Sequence, residues 1–224
     1  GYPDRWRDYS GLKVSRQSFL ANVQTASAFE FRRRMAKLGK PVDRSEWFMT
    51  PQTNNAYYDP SNNEIVLPAG IYPLSIAGLD ALAAVGDLDI TDALTLNGAG
   101  ASTTAIQNET TDRVFDIRGS AVVTMTGVTV KGGNITSSAD GSGIIVQSNA
   151  TLSLNGVSVQ QNQTTAGSGG GIYSEGALTL SNSAVISNTA GEETGGGGGI
   201  YLWTGNATLR NVTVSGNQTK GGGG

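Results

Sequence analysis

The stretch Ala150-Thr151-Leu152-Ser153-Leu154-Asn155-Gly156-Val157-Ser158-Val159 decides the fold, because it recurs. It can be laid over Ala121–Val130 before it, and over Ala177–Ile186 and Ala207–Val214 after it. Met125, Leu154, Leu180 and Leu209 then share one column, at separations of 29, 26 and 29 residues. Within each copy apolar and polar residues alternate, which is the period of a strand. Alternation inside a repeat of this length marks a β-solenoid, in which each coil buries its apolar face on its neighbours.

Working outward, each coil reads as three strands. The first column holds Val114–Ile117, Ile144–Val146, Ile172–Tyr173 and Ile200–Tyr201, each reached through a Gly-rich or polar run. The second holds Val123 and Met125 and their counterparts, and the third holds Val128 and Val130 and theirs. Leu94 and Leu96 start an earlier coil, and Leu74 and Ile76 fit a shorter first turn. About six coils, stacked at the spacing of paired strands, predict a rod of roughly 25–30 Å. Parallel strands joined by short connections wind right-handed. Asn162, Asn188 and Asn217 form one column after the third strand, where Asn tolerates a tight corner and stacked amides bond coil to coil.

Composition narrows the chemistry. The 224 residues contain no Cys and no His, which excludes disulfides, thiolate catalysis and the commonest general base and zinc ligand. The net charge of −3 is unevenly spread. Residues 1–63 carry ten Lys/Arg against six Asp/Glu, and residues 64–224 carry five against twelve. An acidic solenoid argues against a nucleic-acid groove. No apolar run approaches the roughly 20 residues of a membrane span. Gly1 opens the chain, and Gly221–Gly224 repeats the kind of run that precedes Ile200, which predicts a fragment of a longer protein.

The first third has another texture. Leu20, Val23, Phe31, Met35 and Leu38 form a helical stripe, predicting a helix over Ser15–Leu38 that Gly39 and Pro41 stop. Thr50–Tyr58 and Glu64–Leu67 read as strands flanking the turn Asp59–Asn63, and Gly78–Ala84 as a short turn. The fold class is therefore mainly β: a right-handed parallel β-helix preceded by a short α-helix and a β-hairpin segment. The expected division is residues 1–64 and residues 65–224.

Pro3-Asp4-Arg5-Trp6-Arg7-Asp8-Tyr9-Ser10, Gly39-Lys40-Pro41-Val42-Asp43-Arg44-Ser45-Glu46-Trp47, Met49-Thr50-Pro51-Gln52-Thr53 and Asn55-Ala56-Tyr57-Tyr58 are long, rare strings. With them, residues 1–71 resemble the neprilysin-type zinc metallopeptidases. The resemblance implies that Asn55 and Ala56 hold substrate backbone from an edge strand. Phe48 and Asn54 depart from the family's usual Gly and Val. The family's His-Glu-x-x-His helix, third Glu ligand and transition-state His do not follow, so zinc is expected only of the intact family and this chain is not expected to cleave peptides.

From about Ile65 the resemblance changes. Ile65-Val66-Leu67-Pro68-Ala69-Gly70, Gly86-Asp87-Leu88-Asp89-Ile90 and Leu94-Thr95-Leu96-Asn97-Gly98-Ala99-Gly100 resemble the opening turn of CSLREA-domain β-helix proteins. The following Gly-Gly-Gly-Ile-Tyr units are similar to their coils and to those of polymorphic outer-membrane β-helices. Both resemblances share an Ile-Val-(Leu/Phe)-Pro-Ala-Gly stretch, so the chain reads as a chimera joined there.

Candidate sites are few. Asp87, Asp89 and Asp92 are the densest carboxylates and a weak Ca²⁺ candidate, since Ca²⁺ takes oxygen ligands. Asp112, Arg113, Asp116 and Arg118 come next, the residue types of a lyase or hydrolase site. Tyr173, Tyr201 and Trp203 form a sugar-stacking strip if they face outwards, and core stacking if they face inwards. Seven Asn-x-Thr sequons fit the composition and the ladder roles. No catalytic residue, resident metal or cofactor is expected.

Three function classes compete. The first is a noncatalytic exported β-helix for surface display or adhesion, binding cell-surface glycans or proteins on the outside of a bacterial-type envelope. The second is a fragment of a secreted zinc metalloendopeptidase. The third, a carbohydrate-active β-helix enzyme, rests on fold analogy.

Overall fold

The computed structural model describes residues 8–16, 18–38, 40, 56–75, 86–191 and 196–220. The chain divides into two compact units, Gly1–Thr53 and Asn54–Gly224. The hairpin that leads into the coils thus belongs with the solenoid.

In the first unit a helix runs over Phe19–Met35. It is shorter than the stripe suggests because Ser18 caps it: the Ser18 hydroxyl accepts the Ala21 N–H at 3.2 Å. Arg32, Arg33 and Arg34 in the last turn complement the helix dipole. None of its residues is buried, and Leu20, Val23, Phe31 and Met35 are exposed. Thr50–Asn55, Ile76 and the turn expected at Gly78–Ala84 lie outside the described residues.

The second unit is a parallel β-solenoid of about five turns after a short opening rung, with four sheets running along it. Sheet 1 stacks Glu64–Leu67, Leu94–Gly98, Val122–Thr126, Thr151–Asn155, Ala177–Ser181 and Ala207–Arg210 in parallel. Tyr57–Asp59 closes its first end, antiparallel to Glu64–Leu67. Sheet 2 stacks Gly70–Leu74, Thr104–Asn108, Thr129–Lys131, Ser158–Gln160, Ala184–Ile186 and Thr213–Ser215. Sheet 3 stacks Leu88–Ile90, Phe115–Ile117, Ile144–Val146, Ile172–Ser174 and Ile200–Leu202. The column read from the sequence is the register found: Leu96, Met125, Leu154, Leu180 and Leu209 pair in turn.

Two features differ from the sequence reading. The coils have a fourth strand, sheet 4, made of Asn134–Ile135, Gln163–Thr164, Thr189–Ala190 and Gln218–Thr219. Two-residue strands carry no alternation to read, so they escape pattern analysis. The first rung is Glu64–Leu67, the hairpin strand within the peptidase-like third, which pairs with Leu94–Gly98. Glu64–Leu67 is therefore both the return strand of the hairpin and the start of the solenoid.

The core follows from the alternation. Met125, Val123, Val130, Leu152, Leu154, Val159, Ile172 and Leu180 point inwards and are essentially inaccessible. At the corner after sheet 2 the inward positions are amides. Asn162 and Asn188 are fully buried, and each passes hydrogen bonds to the next coil. Gly171 makes room for this ladder, since a Cβ there would sit 2.9 Å from the Asn188 amide nitrogen and 2.6 Å from the Gly199 carbonyl. The Gly runs are thus corner packing rather than phosphate cradles.

Candidate functional site

Sheet 3 positions the residues with chemistry to offer. Its strands are three residues long, and their outer residues, such as Phe115 and Ile117, enter the core. The middle residue of each therefore faces outwards. Asp89, Asp116, Ile145, Tyr173 and Tyr201 are in register along this outer face. The three aromatic residues accordingly lie outside the coil interior. Tyr173 stacks on Tyr201 at 5.7 Å between ring centroids, and Tyr201 meets Trp203 at 6.4 Å.

Tyr173 is buried, while Tyr201 and Trp203 belong to the last described coil, whose inward-column residues Leu209 and Val214 are exposed as well. The loop leading into Ile172 crosses over Tyr173: Gly169 has φ +63°, and a Cβ there would lie 2.8 Å from the Tyr173 Cβ. Burial, then the nearby Asp140 and Glu175 charges, push the Tyr173 phenol up to about 12. Trp203 offers an aromatic surface to solvent beside a stacked tyrosine.

At the other end of the face lies an open cavity of about 330 Å³, lined by Asp87, Asp112, Arg113, Arg118, Ile135 and Ser137, among others. Asp116 is its anchor. Arg118 Nη2 donates to Asp116 Oδ2 at 2.7 Å, Arg113 Nη1 to the same oxygen at 3.1 Å, and Gln147 Nε2 to Oδ1 at 3.2 Å. Arg118 Nε lies 3.0 Å from Asp89 Oδ1, and Arg113 Nε lies 3.6 Å from Asp87 Oδ2. The hydrogen bond to Asp116 raises the Arg118 pKa against the effect of burial.

Asp87 behaves differently. It is 5% exposed, and among the described residues its Oδ1 has no hydrogen-bond partner. Burial, then the Asp112 charge, push its carboxyl up to about 7, with Arg113 opposing. Asp112 is also raised by burial, although it accepts the Arg113 backbone N–H at 2.8 Å. Asp87 is therefore set to titrate around neutrality, while Asp116 and Asp89 are balanced by guanidinium groups.

The sign of the pH dependence follows. Between the ordinary carboxylate value of 3.8 and about 7, the folded chain holds a proton on Asp87 that the unfolded chain releases. Stability is then greatest at the acid end of this window and falls as pH rises through it, by up to about 1.4 kcal/mol per unit. Asp87→Asn is expected to be more stable than the parent above about pH 7 and to lose most of this slope. Melting curves of both chains across the window check this, and parallel slopes would refute it.

The fold does not assemble the set Asp87, Asp89 and Asp92. Asp92 is exposed on a turn beside Thr91, and Asp116 of the next coil takes its place. One oxygen each of Asp87, Asp89 and Asp116 lies within 4.8 Å of the others. Arg113 and Arg118 already share those carboxylates, so a hard dication would meet two positive groups at the same oxygens. The donor set does not fit Ca²⁺. Asp89 and Asp116 stand 27 residues apart, one coil length, and that spacing was the available signal for their pairing.

Of the peptidase-like pair, Ala56 is exposed and immediately precedes the end strand Tyr57–Asp59, and Asn55 lies outside the described residues. No zinc ligand set of the His-Glu-x-x-His type can form in a chain without histidine. Among the sequons, Asn108 and Asn162 are buried, whereas Asn149, Asn206 and Asn211 are exposed. No helix among the described residues is long and apolar enough to cross a membrane.

No family model matches the chain, and no solved structure does. Partial matches come from curated proteins. Neprilysin-3 of Drosophila melanogaster is 36% identical over 78 residues, covering 32% of this chain and 10% of that protein. An endothelin-converting enzyme homolog of Locusta migratoria is 37% identical over 65 residues, covering 29% and 9%. Endothelin-converting enzyme-like 1 of Rattus norvegicus is 35% identical over 78 residues, covering 32% and 10%. The chain spans about a tenth of the length of these relatives, and the similarity is confined to about a third of the chain.

Proposed function

We propose that this chain is a noncatalytic, exported β-helix that binds glycans at a cell surface, in display or adhesion. The observation that carries this reading is the aromatic ladder of Tyr173, Tyr201 and Trp203 on the outward column of sheet 3. Aromatic faces bury the C–H surfaces of sugars while leaving their hydroxyls hydrated. The ion network at the other end of the same face supports a noncatalytic role, because Asp116 and Asp89 are engaged by Arg113 and Arg118 as a brace between coils.

A peptidase-fragment reading draws on the partial similarity to neprilysin-3 and the endothelin-converting enzyme relatives. It would make Asn55 and Ala56 substrate contacts. A chain without histidine cannot supply the His-Glu-x-x-His ligands, so the glycan reading takes precedence.

Trp203→Ala is the test. Trp203 is exposed, so the melting temperature should stay within a few degrees of the parent. Retention on a panel of immobilised neutral glycans should fall about tenfold, the loss of one stacking contact. Equal retention by both chains would sink the glycan role of this face.

A further inference from the structure

A second groove lies on sheet 2, away from the aromatic ladder. It is an open groove of about 440 Å³, lined by Ile71, Thr103, Thr129, Lys131, Ser158 and Gln160, among others. Its floor is flat and polar. Thr129 and Ser158 are register partners, as are Lys131 and Gln160, so the two pairs form adjacent columns across two coils. Val130 and Val159 between them enter the core, which fixes the four polar side chains on the outside. The wall at Ala101–Thr104 is tied down, because the Thr129 hydroxyl donates to the Ala101 carbonyl at 2.6 Å.

Lys131 is the group that this arrangement leaves unexplained. Residues 64–224 hold twelve carboxylates against five basic side chains, so counter-ions are plentiful. Arg113 and Arg118 are both ion-paired. Lys131 is half-buried in the groove, and among the described residues its side chain makes neither an ion pair nor a hydrogen bond. Next to it, the Ser158 hydroxyl donates to Gln160 Oε1 at 3.1 Å, which orients the Gln160 amide and leaves its N–H groups as donors. Ile71, 62% exposed, adds an apolar edge.

We infer that this groove binds a carboxylated sugar, a uronic acid residue of an oligosaccharide, with its carboxylate on Lys131. The ammonium and the Gln160 N–H groups are both donors, which suits a planar acceptor pair. Thr103 supplies a hydroxyl for the ring hydroxyls, and Ile71 covers a C–H face. One ammonium, with no guanidinium fork beside it, balances one negative charge. A dianionic phosphate would carry surplus charge into an already acidic solenoid, so a monoanion fits better. This site goes beyond the aromatic ladder and fails or stands separately from it.

The experiment is an NMR or calorimetric titration of the whole chain with digalacturonate, its methyl ester and a sulfated disaccharide, at about 0.15 M salt to screen long-range repulsion. Digalacturonate is expected to bind about tenfold tighter than its ester, the worth of one charge-assisted contact. Lys131→Gln should lose that margin, Lys131→Arg should keep most of it, and Trp203→Ala should leave it unchanged. Equal affinity for acid and ester, or an unchanged Lys131→Gln, would overturn the site. Tighter binding of the sulfated sugar would overturn the carboxylate assignment. Loss in Trp203→Ala alone would place the sugar on the aromatic ladder and leave that reading standing.

Discussion

Asn188→Ala is expected to cost the solenoid on the order of 3–5 kcal/mol, well above an average substitution. Asn188 is fully buried and sits mid-ladder. Its backbone N–H and its Nδ2 both donate to Asn217 Oδ1 at 3.0 Å, and Nδ2 also donates to the Val159 carbonyl at 3.0 Å. Its Oδ1 accepts the Asn162 N–H at 3.1 Å and the Asn162 amide at 3.0 Å. Alanine would strand the Asn162 backbone N–H, leave the Asn162 amide with the Val130 carbonyl as its acceptor, remove the Val159 carbonyl's bond to the side chain, and open a void beside them. Asn155→Ala is the control. Asn155 is exposed and accepts one bond, from Asn182 Nδ2 at 3.1 Å, so water replaces the partner and the cost should stay below about 1 kcal/mol. Urea midpoints of the two variants decide the matter. Similar shifts would mean that the buried ladder is no stronger than the exposed one.

The second large effect is expected at Asp116. Its side chain is 1% exposed and holds two arginines and Gln147, joining neighbouring coils of sheet 3. Asp116→Ala removes the shared acceptor and leaves two partly buried guanidinium groups underpaired, with side chains 14% and 29% exposed. Breaking a buried pair from one side costs about 3–5 kcal/mol. The same substitution at exposed Asp92 should be neutral within about 0.5 kcal/mol. Comparing the unfolding free energies of the two variants checks this. A neutral Asp116→Ala would show that Asp87, Asp89 and Asp112 can hold both arginines by themselves, and would remove the brace from the argument for a noncatalytic face.

Sites of different depth were legible to different degrees. Tyr173, Tyr201 and Trp203 could be picked out as a strip, but whether they face in or out depends on register. Only the pairing of Tyr173 with Ile145 and Tyr201 settles that they follow the outward column. Asp87 and Asp89 are neighbours in the chain and stay neighbours in space. Asp92 drops out because the turn after Ile90 carries it away from the column, and Asp116 enters because one coil returns the chain to the same face. The Lys131 groove left no local trace, since Lys131, Ser158 and Thr103 meet only when coils stack.

By itself, the amino-acid order determined the solenoid. Apolar residues alternating inside a repeat of 26 to 29 residues have one economical burial, coil upon coil, and the corner asparagines follow from it. It also marked the first third as foreign to that repeat, because helical spacing and solenoid alternation cannot share a period. The tertiary structure alone decided where the solenoid starts, with Glu64–Leu67 taken from the hairpin as its first rung. It decided too which charges are braces and which are available. Burial and partners belong to the stacked coils, and no local window of sequence contains both members of a pair one coil apart.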